Sequence, residues 1–262
     1  MRLTALLVVV AGLATAAPGP DKKAPAPRSV EGELALPHLG LPRGPGIKLA
    51  VASLGEKYLD KGEPVAALRK AVRDAQAALW ASTAATPPRE LADAVAAMRK
   101  RMRIAPAALI TEVVAPKASP MEKRLKDGLM ETNRSLARVV AVLEQVLEDL
   151  QSQAEAREKE NLRWQAHHQA MTAAVTLRLV HLGEYGLALG SMRKEFPDRD
   201  ATKQRGWRME PVESLRDAPG KKMNKAAKKS LEAIQADHAD TVWAQAAKQM
   251  QETPLGVEWK AQ

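Results

Sequence analysis

Cysteine is absent from this chain of 262 residues. Its absence excludes disulfide scaffolds, cysteine-ligated zinc, iron–sulfur clusters and thiol catalysis. Aromatic residues make up only 3% of the chain, and no apolar run reaches the roughly 18 to 20 residues that span a bilayer. We therefore expect no transmembrane segment in the mature chain. The length is sufficient for one or two packed domains.

Motifs for catalysis and for metal binding are also missing. The chain contains neither a Gly-x-Ser-x-Gly turn nor a glycine-rich phosphate loop. Its five histidines are His38, His167, His168, His181 and His238. Only His181 has a potential co-ligand at helical spacing, Glu184, and two ligands do not fix a metal ion. We therefore predict a non-enzymatic protein without a cofactor, whose histidines are structural or exposed.

The N-terminus has the three regions of an export signal. Arg2 supplies the positive charge, residues 3–13 are apolar, and Ala14-Thr15-Ala16 is a small-x-small cleavage site. The pattern predicts a signal peptide over 1–16 and an exported mature chain that begins at Ala17, in the periplasm or outside the cell. The alternatives are an uncleaved signal anchor and an N-terminal helix retained on a cytosolic domain.

Composition divides the next hundred residues into two segments. Residues 17–46 form a predicted linker, because 18–46 contain seven prolines and five glycines, which disfavour regular structure. From Ile47 onward apolar residues recur at helical spacing, so 47–116 is a predicted helical region. Helices are expected at 47–62, at 64–80 and after Pro88, the last with Leu91, Val95, Met98 and Met102 on one face. The apolar residues 107–115 are assigned to a further short helix.

A long helical hairpin is predicted over 117–196. Ser119-Pro120-Met121-Glu122 has the pattern of a capping box at its start. A seven-residue repeat then indicates a coiled-coil-like seam, formed by Leu129, Leu136, Leu143 and Leu150. A second apolar stripe, over 164–192, follows a polar segment in which Asn161 is the expected N-cap. The two stripes can pair as antiparallel helices, with Leu136 and Leu143 facing Val175 and Leu182.

One alternative uses the same residues as a single helix of about 75 residues, because nothing in the polar segment 156–161 breaks a helix. In that arrangement the heptads of 125–150 would pair with another chain. The rest of the sequence is predicted as a basic loop over 197–220 and a C-terminal helix pair with a tail over 221–262. No segment shows the alternation typical of strands, so the predicted fold class is all-α, built from helical hairpins.

Lysine and arginine exceed aspartate and glutamate, 40 against 31, for a net charge of +9. Many of the basic residues form two clusters: Arg99, Lys100, Arg101 and Arg103 at the end of the predicted third helix, and Lys221, Lys222, Lys225, Lys228 and Lys229 at the start of the C-terminal pair. These nine residues are candidate contacts for a polyanion; the alternative is a solvated basic face. Trp207, in the basic loop, either stacks on a base or sugar or anchors the loop to the core.

Residues 54–71, LGEKYLDKGEPVAALRKA, resemble a tetratricopeptide repeat. Gly55, Tyr58, Gly62 and Ala67 stand at positions where that motif places Gly, Tyr, the turn Gly and Ala. The resemblance implies a hairpin of two antiparallel helices over 47–80, with close helix contact at Gly55 and Ala67 and a groove for a peptide. A second turn of this kind, at 183–185, is the alternative to a continuous second long helix.

The C-terminal half carries several short pieces with their tryptophans in a fixed order: Arg163-Trp164-Gln165-Ala166, Glu184-Tyr185, Gly206-Trp207-Arg208, Thr241-Val242-Trp243-Ala244 and Pro254-Leu255-Gly256-Val257-Glu258-Trp259. Through these pieces residues 120–262 resemble exported helical proteins of planctomycete-type bacteria, some of which are attached to von Willebrand A-type domains. The resemblance implies export and a helical architecture, and it assigns no activity and no catalytic residue.

Together these features predict an exported, non-catalytic helical scaffold or protein-interaction module of the cell envelope. Its expected partner is another protein or a peptide, and self-association through the 125–150 heptads is a further option. The alternative function is binding of a polyanion or an anionic surface by the nine basic residues of the two clusters.

Overall fold

The structure is a computed structural model that describes residues 33–37, 39–40, 47–50, 58, 64–103 and 109–262. The predicted signal peptide 1–16, most of the predicted linker 17–46 and His38 lie outside these residues, as do 51–57 and 59–63 of the tetratricopeptide-like segment. Among the helices within them, none is both long and apolar enough to cross a membrane.

The described chain is mostly helical, with two small antiparallel sheets. The helices are α1 Ala66–Ala81, α2 Ala92–Met102, α3 Ser119–Ser152, α4 Ala154–Arg157, α5 Leu162–Lys194, α6 Ala218–Asp237 and α7 Val242–Gln251, and a short 3₁₀ turn, Arg89–Leu91, precedes α2. The strands are β1 Glu33–Leu36, β2 Ile47–Ala50, β3 Glu112–Val114, β4 Gly206–Val212 and β5 Gly256–Ala261.

Helices α3 and α5 form an antiparallel hairpin, as the heptad pattern predicts. Nε2 of His168 lies 2.8 Å from the backbone oxygen of Leu150 near the turn. Farther along the seam, a Cβ added to Gly186 would lie 3.3 Å from Cδ2 of Leu136. The heptad leucines are all buried: Leu129, Leu136, Leu143 and Leu150. Because the chain turns back through α4, the single long helix is wrong, and the 125–150 seam is buried within the chain itself.

Helix α5 is the centre of the fold. Buried residues lie on all its sides, and it contacts α1, α3, α6, α7 and β5. A helix that is apolar all round is stable only when protein surrounds it. Asn161 begins α5 as predicted, since its side chain accepts a hydrogen bond of 3.2 Å from the backbone nitrogen of Trp164. The helix continues through Gly183, so the alternative turn at 183–185 is wrong.

Two further local predictions have different outcomes. The apolar face predicted after Pro88 is confirmed, because Leu91, Val95, Met98 and Met102 are buried where α2 packs on α1. The capping box at the start of α3 is wrong. Ala118 occupies the N-cap position without a side-chain hydrogen bond, and Ser119 is already the first helical residue. Pro120 lies in the first turn, where its missing N–H costs nothing.

The all-α fold class is wrong in one region, because β3, β4 and β5 form an antiparallel sheet. The predicted helix at 107–115, the predicted loop 197–220 and the predicted tail each contribute one strand. Trp207 and Met209 are buried while Arg208 between them is exposed, which is the alternation of a half-buried strand. Glycine allows close strand contact, because a Cβ on Gly206 would lie 2.1 Å from the backbone oxygen of Val113.

The predicted helix 47–62 is wrong at its start. Ile47–Ala50 is a strand that pairs antiparallel with Glu33–Leu36, a piece of the predicted linker. The second helix of the predicted hairpin exists as α1, but Ala67 is exposed on it. Pairing with β1 satisfies the backbone groups of β2 across the sheet, so these residues do not need helical hydrogen bonds.

Candidate functional site

Four of the five predicted lysine contacts on α6 line one groove. The groove has a volume of about 650 Å³ and lies between α6 and the loop that follows β4. We call it the lysine groove. Its lining residues are Glu213, Leu215, Lys221, Asn224, Lys225, Lys228, Lys229 and Glu232.

Helical spacing explains why these lysines share one wall of the groove. Lys221, Lys225 and Lys228 stand four and then three residues apart, which places them on one face of a helix. Lys222, one position along, points about 100° away and does not line the groove. Leu231 and Ile234, on another side of α6, are fully buried. The sequence pattern predicted this cluster, and the structure assigns four of its five members to a single concave surface.

The start of α6, and with it the lysine groove, is held in place by two carboxylates. The side chain of Asp217 caps the helix by accepting a hydrogen bond of 2.7 Å from the nitrogen of Gly220. Oε1 of Glu184, a fully buried residue of α5, accepts hydrogen bonds from the backbone nitrogens of Arg216 and Asp217 at 2.7 and 2.8 Å. These contacts connect the groove to the central helix.

The ammonium groups of the groove have no carboxylate partner among the described residues. Other lysines of α1 and α3 do pair along their helices, Lys70 with Asp74 and Lys126 with Glu122. None of the four groove lysines forms such a salt bridge in the part of the chain that the structure describes. Four unpaired positive charges therefore share one groove with two glutamates, so its net charge is positive.

The arginine-rich cluster lies elsewhere in the fold. Helix α2 packs on α1 and α3, whereas α6 packs on α5 and α7. The side chain of Arg99 is hydrogen-bonded to nearby backbone, since Nη2 donates to the backbone oxygens of Thr83 and Ala85 at 3.1 and 3.2 Å. Arg103 is the C-cap of α2 in a left-handed conformation, with φ of 51°. Lys100, Arg101 and Arg103 are exposed, and none of them lines the lysine groove.

Trp207 acts as an anchor and does not present a free stacking surface. It is 2% exposed and stacks on Phe196 with the ring centroids 5.2 Å apart. Its indole nitrogen donates to the backbone oxygen of Pro197 at 3.0 Å. The side chain therefore fixes the segment after α5 against β4, and it is absent from the lysine groove.

The described histidines are buried in the core. Nδ1 of His238 lies 3.1 Å from the hydroxyl of Tyr58, and the ring of His167 stacks on Trp164. Burial lowers the pKa of His168. Burial, together with the nearby positive charge of Arg178, lowers the pKa of His181 to about 3. Among the described residues no group of three His, Asp or Glu side chains could hold a metal ion.

Sequence reasoning missed a buried polar row on α5. Arg178, His181, Glu184 and Tyr185 recur at spacings of three, three and one, and all four are at most 1% exposed. Burial lowers the pKa of Arg178 to about 10 and raises the pKa of Tyr185 to about 12. Two signals were present in the sequence: Arg178 interrupts the apolar stripe of 164–192, and His181 and Glu184 stand at helical spacing. The partners of the row come from distant segments, so their identity could not be predicted.

Comparison with known proteins adds no assignment. No protein-family model matches the chain, and neither a curated protein nor a solved structure matches it.

Proposed function

We propose that this protein is an exported, non-catalytic helical module of the cell envelope that binds an anionic polymer in the lysine groove. The observation that carries the proposal is the set of four lysines that line one groove without salt bridges to other described residues. Unpaired cations in a concave surface attract anions, and each anionic group that they neutralise releases counterions into solution.

The groove supports polymer binding better than the arginine-rich cluster does. Arg99 already donates hydrogen bonds to two backbone oxygens, so its charge is partly committed to the fold. The lysines of α6 extend from Lys221 to Lys229, which is about 12 Å along a helix. An array of this length can contact several charges of an extended polymer at once.

A protein partner remains the second candidate, and a different surface favours it. Among the described strands β3 is at the edge of its sheet, and Val114 on this strand is 75% exposed. An exposed edge strand can add a strand from another chain. The heptads of 125–150 favour this function less, because their leucines are buried against α5. Export is supported by the sequence of residues 1–16 and by the resemblance of residues 120–262.

Retention on heparin at increasing salt tests the proposed function. We expect the full chain to bind and the logarithm of the binding constant to fall linearly with the logarithm of the salt concentration. Reversing three groove lysines, Lys221, Lys225 and Lys228, to glutamate should abolish most of the retention. The matched control reverses the charges of Lys100, Arg101 and Arg103 and should retain most of the binding to heparin. Unchanged retention of the α6 variant would overturn the proposal.

A further inference from the structure

The other side chains of the lysine groove indicate which class of anionic polymer it binds. The lysine groove contains two carboxylates, one amide and one aliphatic side chain: Glu213, Glu232, Asn224 and Leu215. The geometry points to an acidic polysaccharide, a polymer that carries hydroxyls beside its anionic groups, as the ligand. This inference rests on the proposed function, since it concerns what the same groove selects.

Asn224 provides the first argument. Its amide oxygen is buried and receives no hydrogen bond from the protein, although an unsatisfied polar atom of this kind is costly. The residue lines the groove between Lys221 and Lys225, and the χ2 torsion of asparagine is broad. The amide can therefore turn toward a bound chain and accept a hydrogen bond from a hydroxyl. Polyphosphate has no such donor along its chain.

The two glutamates provide the second argument. Glu213 and Glu232 are exposed in the same groove as the lysines. A carboxylate repels a chain that presents only anionic oxygens, whereas it accepts hydrogen bonds from hydroxyl donors. A sugar acid presents both kinds of group within one monomer. Its anionic group suits a lysine, and its hydroxyls suit Glu213, Glu232 and the amide of Asn224.

The third argument concerns the contacts that the groove can make with the bases of a nucleic acid or with the rings of a sugar. Proteins that hold single-stranded nucleic acids stack the bases on aromatic side chains and on arginine. The residues that line the lysine groove include neither an aromatic residue nor an arginine. The nearest arginine in the sequence, Arg216, donates to the backbone oxygen of Val257 at 2.8 Å and pairs with Glu184. The nearest aromatic residue, Trp207, is buried against Phe196. Leu215 supplies an apolar contact, which suits the C–H face of a sugar. A polysaccharide therefore fits better than a nucleic acid.

Binding of three polyanions by the full chain and its variants tests this inference. The probes are polygalacturonate, polyphosphate and single-stranded oligodeoxythymidylate, matched in number of charges and measured by calorimetry at one ionic strength. We expect polygalacturonate to bind most tightly. Asn224→Leu, which has nearly the same volume, should weaken polygalacturonate about three- to tenfold, the contribution of one hydrogen bond. The same variant should change polyphosphate binding by less than about twofold.

Two more variants separate the inference from the proposed function. Glu232→Gln should strengthen polyphosphate binding about two- to fivefold, because it removes one repulsive charge, and it should change polygalacturonate binding less. Lys225→Gln should weaken the binding of all three probes. Lys222→Gln, outside the groove, is its control. Equal effects of Asn224→Leu on all probes, or tightest binding of polyphosphate or DNA, would overturn the inference that the ligand is a polysaccharide. The proposed binding of an anionic polymer would still stand. Binding that is indifferent to Lys225→Gln would overturn both.

Discussion

Nη1 of Arg178 donates a hydrogen bond of 3.1 Å to the backbone oxygen of Leu39, a residue 139 positions away in the sequence. The same guanidinium donates from Nη2 to the backbone oxygen of Ser82 at 2.8 Å and from Nε to its hydroxyl. Arg178 is 1% exposed. It therefore connects the segment after β1 and the end of α1 to the central helix, inside the core.

Replacing Arg178 should destabilise the fold even though it removes a buried charge. Arg178→Met leaves two backbone oxygens without donors, and each orphaned group costs about 1 to 3 kcal/mol. We expect the free energy of unfolding in urea to fall by about 2 to 4 kcal/mol. Arg193→Met, on an exposed site of the same helix, is the control and should change it by less than about 0.5 kcal/mol. Equal effects would show that the hydrogen bonds of Arg178 contribute nothing.

Shortening Leu143 should test the hairpin of α3 and α5. The side chain is fully buried, so Leu143→Ala should lower the free energy of unfolding by about 2 to 5 kcal/mol through lost burial and the cavity that remains. Glu144→Ala, on the exposed side of α3, should change it by less than about 0.5 kcal/mol. A loss near zero for Leu143→Ala would contradict the register of the seam.

Two alanines of α1 should respond in opposite ways to enlargement. Ala67 is exposed, so Ala67→Leu should leave the free energy of unfolding within about 0.5 kcal/mol, although the tetratricopeptide resemblance implies a tight contact there. Ala75 is fully buried, so Ala75→Leu should overpack the core and cost about 1 to 3 kcal/mol. Thermal melts of both variants measure this contrast, and a larger loss at Ala67 would restore the tetratricopeptide arrangement.

Glu184 should control the order of the loop that precedes α6. Glu184→Leu removes the acceptor of two charge-assisted hydrogen bonds, from the nitrogens of Arg216 and Asp217, worth about 1.5 to 3 kcal/mol each. We expect the amides of Arg216 and Asp217 to exchange with solvent much faster in NMR hydrogen exchange. Glu184→Gln retains an acceptor oxygen and should show a smaller change. Unaltered protection in Glu184→Leu would contradict this role.

Acid should destabilise the protein partly through His181. Burial and the charge of Arg178 lower the pKa of His181 from 6.5 to about 3. A depressed pKa contributes stability that is complete above the unfolded-state value and is lost as the pH falls toward the folded-state value. We therefore expect the free energy of unfolding to fall by about 2 to 3 kcal/mol between pH 6.5 and about pH 4.5.

The variant His181→Gln isolates this contribution, because glutamine does not titrate. Its free energy of unfolding should vary less over the same pH range than that of the parent chain. His168, whose pKa burial also lowers, retains its own share in both proteins. Identical pH profiles of the two chains in urea titrations would contradict the role of His181.

The lysine groove shows how far sequence could go toward the candidate site. The spacing of Lys221, Lys225 and Lys228 is local, so the prediction of a helix is sufficient to place them on one face, without knowledge of the rest of the fold. Glu213 and Leu215 belong to the loop after β4, and the sequence pattern of 197–220 predicted only a loop, without a strand. Their position beside α6 depends on the sheet and on Glu184, and no local pattern encodes either.

The strands were missed for a related reason. β3 has three residues, too few for an alternation to be recognised. β4 has seven, but its alternation ends at Met209 and the run contains Pro211, a residue that argues against a strand. Their pairing register depends on Gly206, whose backbone approaches Val113 closely. A helix satisfies its hydrogen bonds within one segment, whereas a strand needs a partner from elsewhere in the chain.

The sequence by itself determined the apolar seam of the long helices and the start of α5 at Asn161, whereas the structure decided that the chain turns back between them. These features follow from a heptad repeat and a cap, which act over a few residues. Only the tertiary structure decided that Arg178, His181 and Glu184 are buried, that Ile47–Ala50 is a strand, and that lysines and glutamates share a groove. The physical reason is that burial and strand pairing depend on contacts between segments far apart in the chain, which local spacing does not encode.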